Sequence, residues 1–149
     1  MITVDISGKL PTGADQAFVR KLVGGAWRAA GGTGRAQVSV RMVSDAAIRR
    51  LNRHYRMNNR ATDVLSFLYE EAKGYPAPPS TVKELGDIVI SLPQVRRQAK
   101  SIGRAASAEF ALMVVHGTLH LMGFDHETVQ QEKRMFGLQH DILARLRVI

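Results

Sequence analysis

Three of the five histidines fall within one short run, His116-Gly117-Thr118-Leu119-His120-Leu121-Met122-Gly123-Phe124-Asp125-His126. His116 and His120 are four residues apart, so on a helix both imidazoles project from the same face about one turn apart. That spacing lets two ring nitrogens reach one metal ion at ~2.0–2.1 Å. Gly123 can take the backbone conformation that ends a helix and turns the chain back, which lets His126 swing round as a third ligand. Three imidazoles with no fourth protein ligand describe an open zinc site whose last position is left to water. The alternative is a histidine cluster satisfied by hydrogen bonds alone. The run lies in the most apolar segment of the chain, where imidazoles without partners cost several kcal/mol, so something must satisfy them.

The pattern His-x-x-x-His-x-x-Gly-x-x-His is also that of the metzincin metalloproteases, which need a Glu directly after the first His as general base. Here that position is Gly117, which has no side chain to take a proton. Peptide hydrolysis by that route is not expected. Asp125, beside a ligand position, either orients it and assists proton transfer or simply caps the turn. His54 and His140 sit on polar helix faces with no partner motif and read as surface residues. The cluster Gly31-Gly32-Thr33-Gly34 lacks the Gly-Lys-Ser/Thr ending of a phosphate loop and reads as a helix stop.

The elements that must position these histidines follow from hydrophobic periodicity. Ile2–Ile6 alternates as a strand, and so does Gln37–Val43, with Val38, Val40 and Met42 on one face. Between them Pro11 and Thr12 open a helix carrying Phe18, Leu22 and Trp27. Ser44 is the expected N-cap of a helix to about Tyr55 with Ile48, Leu51 and Tyr55 inward. Arg49, Arg53 and Arg56 lie on nearly the opposite side, a pattern that in a lone helix usually marks a solvated face. After a loop over Met57–Ala61, the run Thr62–Leu68 reads as a buried strand. Residues Glu70–Val82, with Gly74, Pro76, Pro78 and Pro79, read as a loop or flap. Leu85–Ile90 is a further strand, and Ser91 with Pro93 starts a helix with Val95, Ala99 and Ile102 inward. The histidines lie on a strongly apolar, hence central, helix from Ser107 to about Gly123, and an amphipathic helix from about Thr128 to Arg145 completes the chain. This order predicts one α+β (mixed α/β) domain over residues 1–149 with about five helices.

At 149 residues the chain is long enough for one core. An apolar fraction of 45% with 23% charged residues excludes disordered, collagen-like and coiled-coil classes. The absence of cysteine excludes disulfides, thiolate nucleophiles and Cys-ligated clusters. No apolar run approaches the ~20 residues that span a bilayer, and Met-Ile-Thr-Val-Asp lacks the basic start of a signal peptide, so a soluble, cytoplasmic protein with no membrane partner is expected. The net charge of +8 makes a polyanion a natural partner. The excess is local: Arg41–Arg60 holds six arginines and one acid, and Arg96–Arg104 holds four cations and no acid. That placement suggests a phosphate track beside the metal site.

The histidine run resembles the His-Gly-x-Leu-His-Leu-x-Gly-[Tyr/Phe]-Asp-His signature of the YbeY endoribonucleases. Thr62-Asp63-Val64-Leu65-Ser66-Phe67 and Leu85-Gly86-Asp87-Ile88-Val89-Ile90 match further family blocks in order, and Leu51-Asn52 with Tyr55-Arg56 fits the segment ahead of them. The likeness runs from about Val38 to Leu146. Ala61 stands where Pro is common, and Met57 where Gly is common; both bear on how the loop after Arg56 is held. The resemblance implies a mostly four-stranded mixed sheet packed with helices and one zinc ion per chain on His116, His120 and His126. It also implies a single-strand-specific, metal-dependent endoribonuclease acting on the 3′ end of small-subunit ribosomal RNA and in ribosome quality control. Its partners would be single-stranded RNA, the small ribosomal subunit and assembly factors, with no DNA expected.

The family's important arginine maps onto Arg56. Physically that role is apt, since a guanidinium stays charged and donates two hydrogen bonds to a phosphate. The catalytic expectation is therefore Arg56 and His116, with Arg56 steadying transition-state charge while zinc activates water or polarises the phosphate. The competing classes are an assembly factor whose zinc only fixes the fold, and a metal hydrolase of another substrate.

Overall fold

The computed structural model describes residues 1–56, 64–68 and 82–148. Their backbone runs β1 (Ile2–Ser7), α1 (Gln16–Ala29), β2 (Arg35–Val43), α2 (Asp45–Arg56), β3 (Val64–Leu68), β4 (Val82–Ser91), α3 (Leu92–Ile102), α4 (Ala106–Leu121) and α5 (Val129–Arg145). The strands form one mixed sheet in the order β1-β2-β4-β3. The pairs β1/β2 and β2/β4 are parallel, and β3 is an antiparallel edge strand with Val64 opposite Ile90 and Ser66 opposite Ile88. The expected mixed four-stranded α+β architecture is what the chain adopts. The expected loop Met57–Ala61, the entry Thr62-Asp63 and most of the flap at 70–82 lie outside the described residues.

Side-chain alternation along the strands gives the sheet two apolar faces, each covered by its own helices. Ala36, Val38, Val40 and Met42 of β2 and Ile88 and Ile90 of β4 point to one side. There they meet Val19, Leu22 and Val23 of α1, Phe110 and Val114 of α4, and Met135 and Ile142 of α5. Val89, between two such residues, points the other way and packs with Leu65, Phe67 and Ile48 of α2. So α2 and the histidine-bearing α4 lie on opposite faces of the sheet. A phosphate track from the basic side of α2 to the histidine site would therefore pass round an edge of the sheet and not across it.

The helix ends follow capping chemistry. Ser44 Oγ accepts from the Ala47 backbone N–H at 3.1 Å, and Ser91 Oγ from that of Gln94 at 3.3 Å. Thr128 and Gln131 close a capping box at the start of α5, the pairing that satisfies two orphan donors at once. Helix α1 starts later than Pro11 and Thr12 suggest: Asp15 is its N-cap, accepting from Phe18 N at 2.8 Å, and Pro11–Ala14 forms a turn closed by Ala14 N–H to the Pro11 carbonyl. Periodicity puts Ile102 inward, but it is 49% exposed, because it occupies the last turn of α3, just past Ala99, where that helix runs off the core.

Candidate metal centre

Helix α4 carries His116 and His120 because its other sides are committed to the core. Phe110, Ala111, Val114, Val115 and Leu119 are fully buried around it. The helix lies close against β4 at Gly117, where an added Cβ would stand 2.7 Å from Ile88 Cγ2. The expected lack of a protease-type base thus has a packing cause: a side chain at this position would press on Ile88. The Gly117 carbonyl also faces Ser66 Oγ of β3 at 3.5 Å. After Leu121 the chain turns through Gly123, whose φ of +99° is costly for any residue with a Cβ, and brings His126 back beside the helix.

The three imidazoles converge. The His116 and His120 rings are nearly parallel, with centroids 6.3 Å apart. His126 lies 5.4 Å from His116 and 6.4 Å from His120. His116 and His120 are half-buried and His126 is exposed. Three imidazoles each bound through one nitrogen at ~2.0–2.1 Å in tetrahedral directions would have centroids about 5 Å apart. The set is therefore wider than a closed metal shell, and among the described residues no three His, Asp or Glu side chains stand at closed metal-binding spacing.

The donor chemistry nevertheless fits a metal. His116 Nδ1 lies 2.7 Å from Oε1 of Gln139, and His120 Nδ1 lies 2.9 Å from the Phe124 carbonyl oxygen. Both partners are acceptors, so both Nδ1 atoms carry the proton and donate it. That tautomer puts the lone pair of each ring on Nε2, the nitrogen that would ligate a metal. Asp125 accepts from the His126 backbone N–H through one carboxylate oxygen at 2.8 Å, a turn-capping contact. Arg56 closes α2, but its side chain lies outside the described residues.

Two residues of α5 join the site without having been marked in the sequence. Gln139 is 6% exposed although it lies on the buried stripe of Met135 and Ile142. A polar residue on an apolar helix stripe needs a partner, and that was the available signal. Phe136, one turn before it, is 43% exposed, and its ring lies 6.4 Å from His116 and 6.0 Å from His126. Val64, Leu112, Met113 and Phe136 line an open cleft of about 570 Å³ that leads to His116 and His126. The floor is apolar, one aromatic ring is presented, and the histidines sit at one side.

In the second basic stretch, Arg97 pairs with Asp45 of α2 at 2.7 Å, and Arg104 with the buried Glu109 at 3.5 Å. Two of its four cations are thus engaged within the fold. His54 and His140 are exposed, as expected of surface residues.

Comparison with known proteins bears on the same residues. The profile of the family described as Endoribonuclease YbeY matches residues 6–147. A protein named Endoribonuclease YbeY from Alkalilimnicola ehrlichii is 43% identical over 133 residues, covering 89% of this chain and 78% of its own. One of the same name from Moorella thermoacetica is 48% identical over 120 residues, covering 78% and 76% respectively. The solution structure of a Thermotoga maritima protein matches with a TM-score of 0.58 over 99% of this chain and 92% of that one, at 24% identity, a likeness of fold.

Proposed function

The chain belongs to the YbeY endoribonuclease family, and from that premise we propose that it is a zinc-dependent, single-strand-specific endoribonuclease of one domain. Its substrate is the 3′ region of small-subunit ribosomal RNA, and it works in ribosome maturation and quality control in the cytoplasm, beside the small subunit and its assembly factors. The observation that carries this reading is the convergence of three imidazoles, two of them held with Nδ1 protonated by Gln139 and by the Phe124 carbonyl. No helix among the described residues is long and apolar enough to cross a membrane.

His116, His120 and His126 would hold one zinc ion, which supplies Lewis acidity toward a phosphoryl oxygen and lowers the pKa of water. The protein does the rest. Gln139 and the Phe124 carbonyl hold two imidazoles in the liganding tautomer. Phe136 offers a face on which an unpaired base can stack, and a base paired in a duplex has no such face free. The apolar wall of Val64, Leu112 and Met113 lowers the local dielectric, which strengthens every charge interaction at the phosphate. Arg56 supplies the guanidinium that steadies charge building on the phosphate. Gly117 excludes a protease-type carboxylate and so argues against peptide hydrolysis.

Wild-type protein and an Arg56→Glu variant, each assayed for bound zinc and against RNA, peptide and ester substrates, test the proposal. The expected result is RNA fragments from wild type alone, equal zinc in both proteins and no turnover of peptide or ester. An assembly factor with structural zinc would protect RNA without producing fragments.

A further inference from the structure

A groove of about 690 Å³ lies between β2 and α2, and Arg41, Arg50, Arg53 and His54 line it over the apolar floor of Val43 and Leu51. Arg41 faces this side because its strand neighbours Val40 and Met42 are committed to the core under α1, α4 and α5. Arg50 and Arg53, three apart on α2, present adjacent guanidinium groups. Among the described residues lining the groove none is acidic. Arg41, Arg50 and Arg53 have no ion-pair partner among the described residues, in contrast to Arg97 and Arg104. Three like charges converging on one concavity repel one another, and an anion that enters relieves that repulsion.

We infer that this groove is a second RNA site, on the face of the sheet opposite the histidines, and that it binds the sugar-phosphate backbone of a duplex segment of the substrate. The inference rests on the proposed function for RNA as the ligand and assigns the two faces different work. The histidine cleft presents Phe136 for an unstacked base. Among the described residues lining the groove there is no Phe, Tyr or Trp, and those that can meet a ligand's polar groups are Arg41, Arg50, Arg53 and His54. Cations without a stacking ring read phosphate spacing and helix shape, which is how double-stranded RNA is recognised. A strand cut at the histidines and a stem held behind the sheet would place the cleavage site at a fixed distance from a helical landmark.

The test compares two RNAs, a short single-stranded oligonucleotide and the same cleavable strand flanked by a stable stem, with wild type and the exposed-surface variant Arg41→Glu/Arg50→Glu. The expected result is unchanged cleavage of the oligonucleotide and a KM for the stem-bearing RNA raised about tenfold or more. The slope of log affinity against log salt for that RNA should fall by about two, one per lost phosphate contact. Arg41→Lys/Arg50→Lys should retain most of the affinity, separating charge from any effect on folding. Equal loss on both RNAs would make the groove part of the cutting track and overturn the inference. No change on either would overturn it as well, which is also the outcome if the groove takes an acidic protein surface. If wild type cleaves neither RNA, the endoribonuclease reading fails, while the salt slope for binding the stem still decides the groove.

Discussion

Oε1 of Gln139 on α5 accepts a hydrogen bond from Nδ1 of His116 on α4 across 2.7 Å. This single bond ties the last helix of the chain to the central one and sets which nitrogen of His116 can donate to a metal. Removing the acceptor frees the tautomer. Gln139→Leu, which suits the buried stripe, should weaken zinc binding about 10- to 100-fold. Gln139→Glu should retain the affinity, because a carboxylate accepts the same proton. Competition with a chelator measures both, and a leucine variant that holds zinc as tightly as wild type would count against the assigned tautomer.

Phe136 is the exposed aromatic beside the histidine rings. Base stacking on an aromatic side chain is worth about 1–3 kcal/mol by alanine substitution. Phe136→Ala should therefore raise KM for a single-stranded oligonucleotide about 5- to 100-fold with bound zinc unchanged, and Phe136→Trp should restore it. Loss of zinc together with activity would make Phe136 a packing residue of the metal centre instead.

Gly117 packs against Ile88, which is fully buried. A methyl added there meets Ile88 Cγ2 at 2.7 Å, and overpacking of this kind costs about 1–3 kcal/mol. The better helix propensity of alanine offsets about 1 kcal/mol of that. Gly117→Ala should thus lower stability by about 1 kcal/mol in urea unfolding. Ile88→Leu, which lacks the offending branch methyl, should relieve part of the loss in the double variant. Additive effects would show that the two positions do not touch as described.

Asp45 starts α2 and is tied to α3 and to its N-cap: it pairs with Arg97 at 2.7 Å and accepts from Ser91 Oγ at 2.7 Å. The Ser91 hydroxyl, and then Arg97 beside it, hold its carboxyl below the usual carboxylate range against the opposing effect of burial. A carboxyl whose folded pKa is depressed contributes stability above its unfolded pKa of ~3.9 and loses it as pH falls through the folded value. Arg97 is 55% exposed, so solvent screens the pair and Asp45→Asn should cost only about 0.5–1 kcal/mol near neutral pH. The gap between the two unfolding curves should close as pH is lowered through the carboxylate range. A gap independent of pH would assign the effect to something other than the charge.

Much of this site was legible because its elements are local. Val38, Val40 and Met42 alternate and are buried on one face. The spacing of His116 and His120 forces their rings onto one side of α4, and Gly123 turns the chain where a turn is needed. What escaped was long-range. Nothing near Gln139 or Phe136 in the chain says that α5 crosses the histidine helix; only the polar residue on a buried stripe hints at it. The charge count located the arginines of α2 but not the sheet face they lie on, because a strand's alternation does not say which helix covers which face. That is decided by Val89 packing on α2 while Ile88 and Ile90 pack on the other side.

The central claim is that one metal ion on three histidines cuts RNA. His126→Ala tests it most directly: His126 is exposed, whereas truncating His116 would leave the buried Gln139 carboxamide without its partner. Bound zinc and nicking of single-stranded RNA should be measured on the same preparations of wild type, chelator-treated wild type and the variant. The prediction is about one zinc ion per chain and RNA fragments for wild type, loss of both in the other two, and recovery of cleavage in the treated wild type when zinc is returned. Metal-free protein that nicks RNA as fast as the loaded protein would contradict the claim.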